Sequence, residues 1–194
     1  MFTLTTASSH SQEIKRSRFL AIAGPVADEQ AAKDFIAEHS AADANHNCWA
    51  WRMGQNYRFN DDGEPSGTAG KPILQAIDGQ ELDCVVVVVT RWFGGVLLGS
   101  GGLIRAYGGT AALCLQAAEK IKIVPMTSVG IEAQFSDLAL LKARLAASPG
   151  TSITAEQFIS TGAVLTLNIP TANADDILQM VTDLTSGRAV IDRS

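Results

Sequence analysis

Hydrophobic and polar positions along the chain alternate with two periods, and each period predicts its own kind of element. Arg18 to Gly24 alternates as a strand and closes at Gly24-Pro25. Asp28 can cap a helix running to about His39, because Ala32, Phe35, Ile36 and His39 follow the i, i+3, i+4, i+7 spacing. Cys48 to Met53 and Tyr57 to Asn60 read as a hairpin around Gly54-Gln55-Asn56. Asp61 to Lys71 is a loop by composition, and a short helix is expected to begin near Pro72 at its first position. Asp83 to Thr90, with five consecutive valines, predicts a strand covered on both faces. Arg91 to Gly102 reads as a second loop. Leu103 to about Lys120 reads as a helix with Leu103, Ala106, Tyr107, Leu113, Cys114 and Ala117 inward, and Gly108 and Gly109 inside it require close packing against another backbone.

After Pro125 the pattern changes. Strand Thr127–Phe135, a helix capped by Ser136, strands Thr151–Ile159 and Gly162–Ile169, a helix capped by Thr171 and a last strand Arg188–Ile191 follow in turn. The order β-α-β-β-α-β is the ferredoxin-like plan. The chain is therefore expected to be α+β, with domains at residues 1–125 and 126–194.

Charge narrows the function classes. The net charge is −5, and neither half is basic: 11 Lys and Arg face 13 Asp and Glu before Pro125, and 4 face 7 after it. A general nucleic-acid binder needs a basic field, so any contact with RNA requires a local patch. Three separated cysteines, Cys48, Cys84 and Cys114, form no C-x-x-C and argue against a disulfide framework or a Cys-rich zinc site. No signal-like start is present, and the longest aliphatic run, Val85 to Val89, is far too short for a bilayer. A cytoplasmic protein without membrane contact is the expectation.

Two glycine-rich segments carry the candidate chemistry. In the first, Asn60 to Leu74, the carboxylates Asp61, Asp62 and Glu64 fall together with Lys71 nearby. This is either a divalent-metal or acid–base site, with Mg²⁺ as its cofactor, or a hydrogen-bonded turn. In the second, Thr90 to Gly109, a buried strand enters a loop and Gly99-Ser100-Gly101-Gly102 opens a helix. Amides at such a start attract phosphate, and Arg91 and Arg105 can add charge-assisted contacts. Tight packing at a strand-to-helix crossover is the other reading. Neither a Walker A loop nor a dinucleotide fingerprint is present. His46 and Cys48 share a strand face and read as a structural pair, a metal pair or a base and nucleophile. Trp49 and Trp51 occupy the opposite face, while Trp92 and Phe93 in the loop can stack on a ligand.

The stretches KRSRFLA (Lys15 to Ala21), NHNCWAW (Asn45 to Trp51), NDDGEPSGTAGKPIL and VVTRWFGGVLLGSGGLIRAYGG resemble the IMPACT family, in its bacterial YigZ-type branch, with Trp92 where the family more often has Tyr. The resemblance implies a first domain with the β-α fold of a small-subunit ribosomal protein, elongation factor G domain IV and GHMP kinases, and a second like domain V of that elongation factor. Leu98 to Gly102 is similar in character to the GHMP phosphate loop but lacks its second serine. Eukaryotic relatives are linked to translational control through an extra N-terminal domain, which is not expected here. The leading expectation is thus a regulatory binding protein associated with translation, RNA or the ribosome, with a nucleotide or phosphate ligand in a groove between the two segments. An enzyme acting on a small phosphorylated or nucleotide substrate with Mg²⁺, or a protein-interaction scaffold, are the alternatives.

Overall fold

Val85 to Val89 lie at the centre of the first half and dictate its layers. In the computed structural model, which describes residues 1–193, all five are fully buried. They belong to β6 (Val85–Trp92), the middle strand of an antiparallel five-stranded sheet ordered β2-β3-β6-β4-β5. Its other strands are β2 (Ser8–Ile14), β3 (Ser17–Pro25), β4 (His46–Met53) and β5 (Asn56–Asn60). Alternation sorts the valines: Val85, Val87 and Val89 join the larger core with Phe19, Ala21, Cys48 and Ala50. Val86 turns to the other face with Trp51.

Helices cover both faces. On one side α1 (Glu29–His39) packs Ala32, Phe35 and Ile36 against Trp51, which is a core residue, and against Trp49, which is partly buried beside it. On the other lie α2 (Gly70–Asp78) and α3 (Ser100–Ala117), burying Ile73, Ile77, Ala106, Tyr107 and Leu115. A small sheet pairs β1 (Phe2–Leu4) with β7 (Lys120–Lys122). Neither β1, β7 nor β2 shows in the hydrophobic pattern. The first two are three residues long, and β2 (SSHSQEI) alternates among polar side chains.

Five local expectations are corrected. Pro72 is the third residue of α2, not the first; the third position still needs no intrahelical N–H, so proline is tolerated there. The helix α3 begins at Ser100, three residues before Leu103, and β6 runs on through Arg91 and Trp92. Leu113 and Ala117 are exposed and Leu115 takes the core position. Gly108 does pack closely, since a Cβ there would sit 3.4 Å from Pro72, but Gly109 faces open space.

The chain divides into two compact units, Met1–Ile123 and Val124–Ser194. The second contains β8 (Met126–Gln134), α4 (Phe135–Ala146), β9 (Ser152–Ile159), β10 (Gly162–Pro170), α5 (Ala174–Leu184) and β11 (Val190–Asp192). Its four-stranded sheet is ordered β11-β8-β10-β9. Val129, Ile131, Leu165, Leu167 and Ile169 meet Leu138, Leu141, Leu145, Leu178 and Val181 in a separate core. The expected caps fall elsewhere. Ser136 lies inside α4, whose cap is Gln134, and Thr171 begins a 3₁₀ turn before α5 while its hydroxyl meets that of Thr127 at 2.8 Å. Among the described residues no helix is long and apolar enough to cross a membrane.

Candidate functional site

The continuation of β6 through Arg91 places a guanidinium under the larger core face. Arg91 is 5% exposed and Glu64 8%. Arg91 Nη1 donates to Glu64 Oε1 at 2.6 Å, and the Tyr107 hydroxyl of α3 donates to the same oxygen at 2.7 Å. Arg91 Nη2 reaches Ser17 Oγ at 3.3 Å, while its Nε is buried with no partner among the described residues. Tyr107 also packs edge-on against Phe19, with centroids 5.2 Å apart. One carboxylate oxygen thus joins the first glycine-rich segment to the second. Burial, reinforced by the negative surroundings, keeps the Tyr107 phenol far above its ordinary pKa, so it stays a neutral donor.

Above this pair is a cleft of about 460 Å³. Glu64 and Pro65 contribute from the first segment. Arg91, Phe93, Leu97, Leu98, Gly99 and Ser100 contribute from the second, and Asn45 and His46 complete the rim. His46 has a fixed orientation. Its Nδ1 lies 2.7 Å from the Asp62 carbonyl, which can only accept, so Nδ1 carries the hydrogen and Nε2 points toward Glu64 Oε1 at 3.8 Å.

The sequence-derived site residues separate into three groups. Glu64, Arg91, Gly99 and Ser100 line the cleft. Gly102 and Arg105 line a neighbouring depression that shares Leu98 with it, and exposed Gly101 lies on the same first turn of α3. Asp61, Asp62 and Lys71 line neither. Asp61 accepts from the backbone N–H groups of Gly67 (2.8 Å), Ala69 (3.0 Å) and Gly70 (2.8 Å), filling the start of α2. Asp62, at φ 41°, accepts from the Asn47 N–H at 2.6 Å, and Lys71 is exposed on α2. The three carboxylates therefore point to three different partners. Among the described residues no group of three or more His, Cys, Asp or Glu side chains converges on a metal position.

Sequence reasoning missed Tyr107 as a polar participant, because its helical spacing reads as core. It passed over Asn45 and the cleft-facing role of His46, although both lie in the NHNCWAW stretch. Of the two loop aromatics, Phe93 lines the cleft and is 44% exposed. Trp92 projects to the opposite face of β6, where Arg18 covers its ring at 3.8 Å and its Nε1 donates to Asp43.

Residues 15–115 match the Impact N-terminal domain, a span that holds every cleft residue. The chain belongs to the IMPACT family. Residues 131–188 of this family member match a domain of unknown function, DUF1949. It is 43% identical over 180 residues to an IMPACT family member of Thermus thermophilus, covering 90% of this chain and 97% of that protein. It is 34% identical over 185 residues to IMPACT family member YigZ of Escherichia coli, covering 91% and 89%. A solved structure described as a hypothetical protein superposes with a TM-score of 0.76 at 31% identity, over 100% of this chain and 96% of that one.

Cys48, beneath the IMPACT cleft, is no nucleophile. Its Sγ donates to the Asp61 carbonyl at 3.0 Å, and burial pushes the thiol up to about 12 from 9.0. The folded thiol holds its proton more tightly than the unfolded one. Its contribution to stability is therefore complete below pH 9 and lost as pH rises toward 12. Maleimide at pH 8 is expected to modify half-buried Cys84 first and Cys48 only as fast as the protein unfolds. Rapid native-state labelling of Cys48 by mass spectrometry would contradict this. Removing Arg91 leaves Glu64 buried and uncompensated, so Arg91→Ala should destabilise by about 3–5 kcal/mol. Tyr107→Phe, which removes one of two donors, should cost about 1.5–3 kcal/mol. Urea denaturation measures both, and a Tyr107→Phe loss equal to that of Arg91→Ala would contradict the assignment.

Proposed function

We propose that this protein is a translation- or RNA-associated binding protein whose cleft takes a phosphate group at the start of α3. The contrast between two helix starts in the same unit carries this reading. The start of α2 is filled from within by the Asp61 carboxylate. The start of α3 has no side-chain cap, its N-cap Gly99 sits at φ 73°, and the N–H groups of Ser100, Gly101 and Gly102 have no partner among the described residues. An 18-residue helix directs the positive end of its dipole there. What Asp61 does for α2, a bound anion does for α3.

The surroundings agree. Gly99 and Ser100 border the cleft beside Arg91 and His46. Arg91 is balanced by Glu64, so it supplies orientation and a donor rather than net charge. The unpaired amides of Ser100, Gly101 and Gly102 supply the attraction, with the His46 ring on the rim beside them. A volume of about 460 Å³ suits a nucleotide-sized group. The association with translation rests on the family resemblance, and on reading the second unit's β-α-β-β-α-β order as the ferredoxin-like plan of elongation factor G domain V. The first unit is read in the same way, as the β-α fold of elongation factor G domain IV.

Ser100→Asp tests the reading without harming the fold. A carboxylate in the first turn should stabilise α3 by about 0.3–1 kcal/mol, while it repels the ligand. Calorimetric titration with inorganic phosphate and with a nucleoside monophosphate is expected to show binding to the wild type and a loss of about tenfold or more in the variant, whose Tm is unchanged or higher. Equal affinity in both proteins, or none in the wild type, overturns the proposal.

A further inference from the structure

The hairpin joining β2 to β3 turns through Lys15 and Arg16 alone, since Ile14 pairs with Ser17. Both residues have positive φ, 46° and 66°. A two-residue turn of this kind favours Asn-Gly, and L side chains there are strained. Two long cations stand in its place. The tip is anchored beside the cleft: a Cβ on Gly94 would come within 1.9 Å of the Arg16 carbonyl, so only glycine lets the 93–98 loop approach this turn. Ser17 Oγ accepts from the Gly94 N–H at 3.2 Å, and the same oxygen holds Arg91.

Lys15 and Arg105 then line one depression of about 270 Å³ with Leu98 and Gly102. Leu98 is also a wall of the cleft. The cleft at the α3 amides and the depression holding Lys15 and Arg105 therefore adjoin at Leu98. Lys15, Arg16 and Arg105 are exposed, and none forms an ion pair among the described residues. No Asp or Glu occurs between Ser100 and Ala117. Glu13 projects to the opposite face of β2, opposite Arg18 in register. Phe93 offers an exposed ring on the cleft side.

We infer that Lys15, Arg16 and Arg105 extend the cleft into a track for a single-stranded nucleic acid, with one phosphate at the α3 amides, the following backbone on the three cations and a base against Phe93. The inference rests on the phosphate reading of the cleft and adds that the ligand is a strand rather than a mononucleotide. A strand offers repeating charge to separated cations and unpaired bases to an aromatic face. Strain at the turn is retained because Asn-Gly would remove the two charges.

Fluorescence anisotropy with a short labelled single strand of RNA, the same strand in DNA and the corresponding duplex tests this, with inorganic phosphate titrated in parallel. Lys15→Asn with Arg16→Gly, combined with Arg105→Gln, should raise the Tm by relieving the turn. It should also weaken single-strand binding about tenfold or more and lower the salt slope by about one for each phosphate that is no longer neutralised. Phosphate binding should stay intact. Phe93→Ala should weaken strand binding about tenfold without changing the slope. Tighter binding of RNA than DNA assigns the strand as RNA, and equal binding still supports the track. Unchanged affinity and slope in the triple variant, or preference for the duplex, overturns the track and leaves the cleft reading standing. Failure of the wild type to bind inorganic phosphate overturns both.

Discussion

The arrangement around the cleft depends on one buried ion pair. Glu64 and Arg91 are 27 residues apart in sequence and 2.6 Å apart in space. Taking two charges out of water is costly, and such a pair adds little net stability compared with an apolar substitute. Its consequence is positional. Arg91 is locked by strand pairing in β6, and Glu64 must come to it, bringing the acidic loop over the sheet. Tyr107 adds α3 to the same oxygen. Three elements distant in sequence are thereby fixed against one another at the floor of the cleft.

The remaining acids of that loop do different work. Asp61 satisfies the first amides of α2, and Asp62 ties the loop to the Asn47 backbone and presents the carbonyl that orients His46. A cluster that looks like one site in sequence is three separate supports in space. Because these supports consume the carboxylates, the open donors left at the cleft are the α3 amides. The chemistry exposed there suits an anion, in a protein whose overall charge is negative.

Much of this was legible in the sequence. The valine run predicted a strand covered on both faces, and the opposite orientations of Cys48 and Trp51 followed from alternation. The second unit's element order was readable because each helix shows a clear leucine spacing. The short strands β1 and β7 were not, because three residues carry too little pattern. The boundaries of β6 and α3 differ from the sequence expectation for a shared reason: glycine and arginine mark loops in sequence, whereas here Arg91 lies within a strand and Gly101 and Gly102 lie in the first turn of a helix. The sequence predicts that the two segments meet, but not which side chains meet. That depends on Glu64 alone turning inward, a choice made by Arg91 and Tyr107 from across the fold. The cationic turn is hidden as well, because β2 before it alternates among polar side chains and gives no hairpin pattern.

The central claim is that α3 begins as an unfilled anion seat. It is tested most directly by following the backbone amide resonances of isotopically labelled protein during titration with inorganic phosphate. Saturable shifts concentrated at Ser100, Gly101 and Gly102, with smaller changes at His46 and none at the Asp61-bonded amides of Ala69 and Gly70, are the expected result. Shifts that never saturate, or that spread over the surface and spare the start of α3, would contradict it.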